Sequence, residues 1–118
     1  MPTNEAEQML AHNSLGFHES TLTGIDANGQ NMVLGFEDVK LGERLVKARI
    51  IIQGIRSIIC NGQVKMAIGL ESNDAEVLSV DFTTEQIKLI VEWNDFANHS
   101  SHTSSYIFSC GSYELQTG

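Results

Sequence analysis

Residues 83–93, Thr83-Thr84-Glu85-Gln86-Ile87-Lys88-Leu89-Ile90-Val91-Glu92-Trp93, decide the fold of this chain. Their beginning has the pattern of a capping box, in which Thr83 and Gln86 would satisfy the free N–H groups at the start of a helix. The apolar residues that follow occupy every second position from Ile87 to Trp93, and this period is typical of a strand with one buried face. Because β-branched residues and tryptophan fit a pleated sheet better than a helix, the stretch favours a strand.

The same period of two recurs in five other segments, which are residues 32–37, 46–53, 64–70, 77–82 and 106–110. Turn-forming residues separate them. Asn28-Gly29 and Asn61-Gly62 are typical of tight hairpins, because both central positions of a type I′ turn take positive φ. Residues 46–60 would make an unusually long strand, so we expect Gly54 to mark a bulge or bend. Ser72-Asn73-Asp74-Ala75 predicts a further reversal of the chain.

Together these elements predict a mainly β, single domain over residues 1–118. Its architecture is expected to be an antiparallel sandwich or an open curled barrel of six to eight strands. At the N-terminus, Asn4 and Glu7 can cap a turn of helix, so residues 1–13 are expected to form a short helix or a frayed tail. The predicted core contains Leu34, Phe36, Ile50, Leu78, Val80, Phe82, Leu89, Val91, Trp93 and Phe108.

The composition excludes several classes of protein. The chain has 118 residues with 7 Lys and Arg against 15 Asp and Glu, which gives a net charge of −8. Nucleic-acid binding requires clustered cations, so the acidic balance argues against it and favours a basic protein partner. The longest apolar run, Ile50-Ile51-Ile52, is far too short to span a membrane. No signal-peptide pattern is visible and the two cysteines form no framework, so we expect a cytoplasmic protein with free thiols.

The acidic charge is concentrated in residues 71–95, where seven carboxylates accompany one cation, Lys88. One explanation is that these carboxylates pair with Arg49, Arg56 and Lys65 on neighbouring strands. The other is a separate acidic face that binds a basic partner. An unusual aromatic and acidic run, Trp93-Asn94-Asp95-Phe96, lies at the end of this segment. The candidate partner-binding residues are Asp74, Glu76, Asp95 and Phe96.

Two constellations could carry chemistry. His99 and His102 have a spacing found in metal sites, to which Asp95, Glu92 or Cys110 could add a third ligand. Two histidines in a serine-rich loop are more often simply solvated, and no metal or other cofactor is predicted. Cys110 would be a nucleophile only if a histidine lowered its pKa, whereas the alternation places its side chain on the apolar face of its strand. An enzyme built from this chain would draw on His18, His99, His102, Asp95 and Cys110.

Three short runs resemble small, uncharacterised bacterial families, some of which are grouped with the immunity proteins of polymorphic toxin systems. The runs are Phe17-His18-Glu19-Ser20, Gly54-Ile55-Arg56-Ser57-Ile58 and Val91-Glu92-Trp93-Asn94-Asp95-Phe96. The resemblance implies a bacterial, non-enzymatic module that inhibits a basic toxin domain. Two alternatives stay open, which are a small metal-dependent or cysteine enzyme and a homo-oligomeric structural protein whose edge strands pair across a dimer.

Overall fold

A computed structural model describes residues 15–117, which form an antiparallel β-sheet of ten strands. The first half of the chain contains β1 (Leu15–Gly16), β2 (Thr21–Asn28), β3 (Asn31–Leu41), β4 (Arg44–Gln53) and β5 (Ser57–Cys60). The second contains β6 (Gln63–Lys65), β7 (Asp74–Phe82), β8 (Gln86–Asp95), β9 (Ser100–Ser109) and β10 (Ser112–Thr117). The predicted mainly β, antiparallel fold is confirmed. The count exceeds six to eight because β1 and β6 are very short and residues 46–60 are divided between β4 and β5.

The strands follow the order β10-β4-β3-β2-β7-β8-β9-β5-β6, and β1 pairs separately with β3. Only one pair, Thr21 with Glu76, joins β2 to β7. This narrow junction divides the sheet into a first half-sheet (β1 to β4 with β10) and a second half-sheet (β5 to β9). The sheet does not close into a barrel, because in residues 15–117 no strand joins β10 to β6.

The inner faces of the two half-sheets share one hydrophobic core. At the junction Phe17 meets Phe36 edge to face, with ring centroids 5.0 Å apart. Farther along, Phe82 of the second half-sheet stacks on Tyr113 of the first at 5.4 Å. Such aromatic contacts add to the free energy gained by burying apolar area, so they hold the curled sheet in its sandwich-like form. The largest fully buried side chains include Trp93, Tyr106, Phe36, Phe108, Leu34 and Ile50.

Residues 83–93 form a strand rather than a helix, as the alternation predicts. β8 pairs with β7 on one side and β9 on the other, so it lies in the middle of the second half-sheet. Its side chains Ile87, Leu89, Val91 and Trp93 are all fully buried. Burial of one strand face therefore determines the conformation of this stretch, and the capping-box pattern does not lead to a helix.

The predicted core is wrong at Leu78. The register shifts between Val77 and Ser79, because β7 contains one extra residue there. At this bulge the alternation of inward and outward side chains moves by one position along the strand. Ala75 and Val77 are buried in consequence, while Leu78 lies outside the core cluster. Beyond the bulge the even-numbered side chains face inward, as predicted. Val80 and Phe82 are partly buried and pack against the core.

The predicted strand over residues 64–70 is also mostly wrong. β6 ends at Lys65, and Met66 is 98% exposed. From there the chain leaves the sheet and reaches β9, where the Glu71 side chain accepts hydrogen bonds from Ser104 and Tyr106. These bonds compete with continued strand pairing, which the alternation of apolar residues alone cannot reveal.

The turns agree closely with their residue types. Asn61 and Gly62 both have positive φ, 52° and 82°, as a type I′ hairpin requires. At the other hairpin, β2 ends at Asn28, and Gly29 has the positive φ of 63°. The loop is therefore Gly29-Gln30, one residue later than predicted. Gly54 separates β4 from β5 with φ of 66°, which confirms the predicted bend.

Three further expectations have plain structural outcomes. Cys60 and Cys110 are both free. In the described part of the chain, no helix has the length and hydropathy needed to cross a membrane. The predicted short helix or frayed tail in residues 1–13 lies outside the described residues.

Candidate functional site

The structure brings three of the four candidate partner-binding residues into one groove. Asp74 begins β7 and lies opposite Asn94 of β8, and Asp95 ends β8. Phe96 follows in the turn to β9 with 73% of its surface exposed. We call this groove of about 550 Å³ the acidic groove. It is lined by Glu71, Ser72, Asn73, Asp74, Asn94, Asp95, Phe96 and Ala97.

Glu76, the fourth candidate, lies outside the acidic groove. It faces solvent between the buried residues Ala75 and Val77, directly opposite Glu92 of β8. Like charges at opposite positions of a sheet repel each other. Glu92 extends the acidic surface beyond the groove, although it was not among the partner-binding residues selected from the sequence.

Four carboxylates at this end of the molecule have no ion pair within residues 15–117, whereas Glu71, which lines the same groove, pairs with His102. Within residues 15–117 the ion pairs are His18–Glu19, Lys47–Glu37, Arg56–Glu85 and His102–Glu71. None of them includes Asp74, Glu76, Glu92 or Asp95. The cations that could have neutralised this surface lie elsewhere, since Arg56 bonds Glu85 at 3.0 Å and Arg49 donates to Gln116 at 2.9 Å. Of the predicted pairing with Arg49, Arg56 and Lys65, the structure therefore contains Arg56–Glu85, whereas the ion pairs of residues 15–117 include neither Arg49 nor Lys65.

Neighbouring amides orient the two aspartates of the groove. The Asn94 side chain donates to Asp74 Oδ2 at 2.8 Å, and the Asn98 side chain donates to Asp95 Oδ2 at 2.7 Å. The side chain of Asn98 and then its backbone N–H lower the pKa of the Asp95 carboxyl group. Both carboxylates are thus held in place while their charge stays available to a ligand.

A second polar cluster, which sequence reasoning missed, is centred on Glu71. Its Oε1 lies 2.8 Å from His102 Nε2, and its Oε2 accepts hydrogen bonds from Ser104 at 3.0 Å and Tyr106 at 2.5 Å. Burial opposes ionisation of Glu71, but the hydrogen bonds from Tyr106, His102 and Ser104 outweigh it and lower its pKa. Burial, followed by the bond to Glu71, raises the pKa of Tyr106.

One signal of this cluster is visible in the sequence. His102, Ser104 and Tyr106 alternate along β9, so their side chains share its inner face. Their partner Glu71 is more than thirty residues away and follows no local pattern. Within residues 15–117, Trp93 Nε1 is buried beside them with no partner at hydrogen-bond distance, yet the indole lies near enough to the Tyr106 hydroxyl to act against the rise of its pKa.

The Glu71 cluster does not have the geometry of a nucleophile and its base. Such a pair requires a hydrogen bond from the hydroxyl to the histidine. Here Ser104 donates to Glu71 rather than to His102, and only 1% of its surface is exposed. The cluster instead attaches residues 66–73 to β9, since one carboxylate satisfies two largely buried hydroxyl groups.

The residues of the enzyme alternative are dispersed over the structure. His102 binds Glu71, while His99 lies in the turn after Phe96 with φ of 52°. His18 donates from Nδ1 to the Leu78 carbonyl oxygen at 2.8 Å. In residues 15–117, no three side chains of His, Cys, Asp or Glu are grouped closely enough to hold a metal ion.

Cys110 is fully buried, and its charged neighbours are Arg56 and Glu85. Burial raises the pKa of its thiol, which is opposite to the activation that a nucleophilic cysteine requires. Cys60 lines a separate hollow of about 330 Å³ beside Lys65 and Tyr106. Its thiol pKa is also raised, by burial and then by the charge of Glu71.

Comparison with protein-family models, curated proteins and solved structures gives no match for this chain.

Proposed function

We propose that this protein is a non-enzymatic binding module whose acidic groove and adjoining carboxylates capture a basic protein. One observation carries the proposal: Asp74, Glu76, Glu92 and Asp95 lie together at one end of β7 and β8 without an ion pair in residues 15–117. Unneutralised charges of one sign repel one another, and a basic partner relieves that repulsion.

Phe96 gives the groove an apolar contact. An exposed aromatic ring beside two fixed carboxylates suits the side chain of an arginine, which bonds to carboxylates and also packs on aromatic rings. Aromatic residues at the centre of an interface often contribute much of its affinity, while surrounding charges accelerate association. Asp74 and Asp95 therefore orient the partner and Phe96 anchors it.

Within this class, the resemblance to toxin-immunity families favours an inhibitor that covers a basic toxin domain. A protein of this kind needs a fixed, charged surface and no catalytic group. The side chains of Asp74 and Asp95 are already held by Asn94 and Asn98, so little ordering is required when the partner binds. We propose the bacterial cytoplasm as its location.

The test compares two triple variants in a capture experiment from the native host. The first, Asp74→Lys, Glu76→Lys and Asp95→Lys, reverses the acidic surface. The matched control carries Asp26→Lys, Glu43→Lys and Glu114→Lys, which change the net charge equally at exposed positions of the first half-sheet. We expect the wild type and the control to retain the same protein, identified by mass spectrometry, and the first variant to lose it.

Kinetics of the captured protein then measure the role of charge. Its association rate with the wild type should fall as salt rises past physiological strength, because the screening length there is about 8 Å. Circular dichroism of each variant verifies that the fold is retained. Equal recovery of one partner by both triple variants would overturn the proposal.

A further inference from the structure

β6 forms an open edge of the sheet. It pairs only with β5, and no other strand of residues 15–117 lies on its outer side. The Asn61-Gly62 turn makes Cys60 and Gln63 the hydrogen-bonded pair next to the loop. In the following pair, Ile59 with Val64, the backbone N–H and C=O groups point away from each other. The N–H and C=O of Val64 therefore both face the open edge.

The outer face beside this edge is unusually apolar. Val64 pairs with Ile59, and Ile59 pairs with Ile107, so three aliphatic side chains form a row across β6, β5 and β9. Val64 is 73% exposed, and Met66 just beyond it is 98% exposed. The solvent-facing side of an antiparallel sheet normally carries polar residues, and apolar exposure of this kind marks an interaction surface.

We propose that two copies of the chain pair antiparallel through β6, with Val64 of one protomer opposite Val64 of the partner subunit. These two residues form a hydrogen-bonded pair that exchanges both backbone bonds. The aliphatic row then continues without interruption from one protomer into its partner. Because the same patch serves both copies, the interface closes as a two-fold dimer.

The flanking residues fit this register. Lys65 lies opposite Gln63 of the partner subunit, so a cation meets an amide oxygen and not another cation. Met66 lies over Gly62 of the partner subunit, where the glycine has open space around the position of a Cβ. Gln63 and Lys65 point to the opposite face from Val64, since both line the hollow beside Cys60.

The edge at the opposite end of the strand order, β10, lacks these features. On β10 the apolar side chains Tyr113 and Leu115 are half-buried against the core. The exposed side chains of that strand are Ser112, Glu114 and Thr117. Pairing two β10 edges would bring acidic strands together without burying new apolar surface, so of these two edges β6 is the self-complementary one.

The test measures molecular mass by sedimentation velocity over a wide range of protein concentration. We expect the wild type to be a reversible dimer, since a short ladder gives a small interface. Val64→Lys should lower the association constant at least about tenfold, because it places two like charges at the two-fold axis. Leu45→Lys is the matched control. Leu45 is an exposed apolar residue of β4, with 61% of its surface accessible, and its substitution also replaces an apolar side chain by lysine.

A cross-link gives a second measurement that does not depend on affinity. The Cα atoms of a hydrogen-bonded antiparallel pair are about 5.5 Å apart, which a disulfide can bridge. Val64→Cys should therefore yield an oxidised dimer, joined at residue 64 in peptide maps, faster than Leu45→Cys. Equal cross-linking of both variants, or a wild type that stays monomeric at the highest concentration, would overturn the proposal.

Salt separates this dimer from the proposed capture of a basic partner. Two copies with a net charge of −8 repel each other, so screening strengthens the dimer while it weakens capture. Val64→Lys should retain the basic partner, and the triple reversal at Asp74, Glu76 and Asp95 should still dimerise. Each proposal can thus fail without the other.

Discussion

Glu76 of β7 and Glu92 of β8 lie directly opposite each other, so two carboxylates share one position on the outer face of the second half-sheet. Opposed like charges destabilise a sheet, whereas a neutral residue at one position removes the repulsion. The repulsion between these two carboxylates lowers the stability of the free protein. A basic partner that neutralised them would remove this repulsion, which would strengthen its binding.

Glu92→Gln should therefore stabilise the free protein. We expect the free energy of unfolding to rise by about 0.2–1 kcal/mol at low salt and by less at high salt. Urea denaturation at both salt concentrations measures the change. Glu43→Gln, at an exposed turn position, is the control and should have little effect. A loss of stability in Glu92→Gln would show that this carboxylate has a favourable partner.

The Glu71 cluster predicts a large effect from one partly exposed residue. Glu71→Ala leaves the Ser104 and Tyr106 hydroxyl groups without their acceptor. We expect a loss of about 1–3 kcal/mol in the free energy of unfolding, the usual cost of unsatisfied buried donors. Glu43→Ala supplies the comparison in the same urea titration. If the two variants unfold at equal urea concentrations, the cluster contributes nothing to stability.

The pH dependence of stability follows from the same carboxylate. The folded state lowers the pKa of Glu71 below its ordinary value of 4.5, so the charged form stabilises the fold above that pH. The contribution is lost as the pH falls through the folded-state pKa. In thermal unfolding from pH 7 down into the acid range, the wild type should lose more stability below pH 4.5 than Glu71→Gln. Parallel curves for the two proteins would contradict this linkage.

The two thiols should differ in reactivity. Cys110 is fully buried and Cys60 is partly accessible in its hollow, and burial raises the pKa of both. In the native protein we expect an aromatic disulfide reagent to modify Cys60 slowly and Cys110 only on global unfolding. In denaturant both thiols should react at once. Equal native rates would show that the connection between β9 and β10, which carries Cys110, opens locally.

The bulge in β7 predicts an inverted order of two neighbouring substitutions. Val77→Ala removes fully buried methyl groups and should cost about 1–3 kcal/mol. Leu78→Ala removes more atoms, yet it should cost less than about 1 kcal/mol because Leu78 lies outside the core cluster. Chemical denaturation of both variants decides the order. A larger loss in Leu78→Ala would place the bulge elsewhere in β7.

This bulge shows where sequence reasoning succeeds and where it ends. The period of two from Ile87 to Trp93 predicts both the strand and its buried face, because each side chain is positioned by its own backbone. Leu78 breaks that rule, because the extra residue is absorbed only when β7 pairs with β8. Sequence reasoning therefore predicted most of the strands, but it predicted only some of the side chains of β7 that face the core.

The candidate site also has some features that local sequence predicts and others that depend on strand pairing. Asp74, Asp95 and Phe96 could be selected from the sequence because turn residues at strand ends project side chains into solvent. Their meeting in one groove depends on β7 and β8 being neighbours in register. The Glu71 cluster escaped prediction altogether, since it joins a segment without regular structure to the inner face of β9. No local period encodes such a pairing.

β10, the last strand of residues 15–117, covers an apolar edge of the sheet. β10 pairs with β4, placing Tyr113 opposite Ile52 and Leu115 opposite Ile50. During synthesis on the ribosome, β4 emerges some sixty residues before the strand that protects it. β4 can pair with β3 at once, but until residues 112–117 arrive the other edge of Ile50-Ile51-Ile52 stays open, and an open edge of high β propensity is the kind from which chains aggregate. Nascent chains that stop short of β10 are therefore the form of this protein most in need of a chaperone.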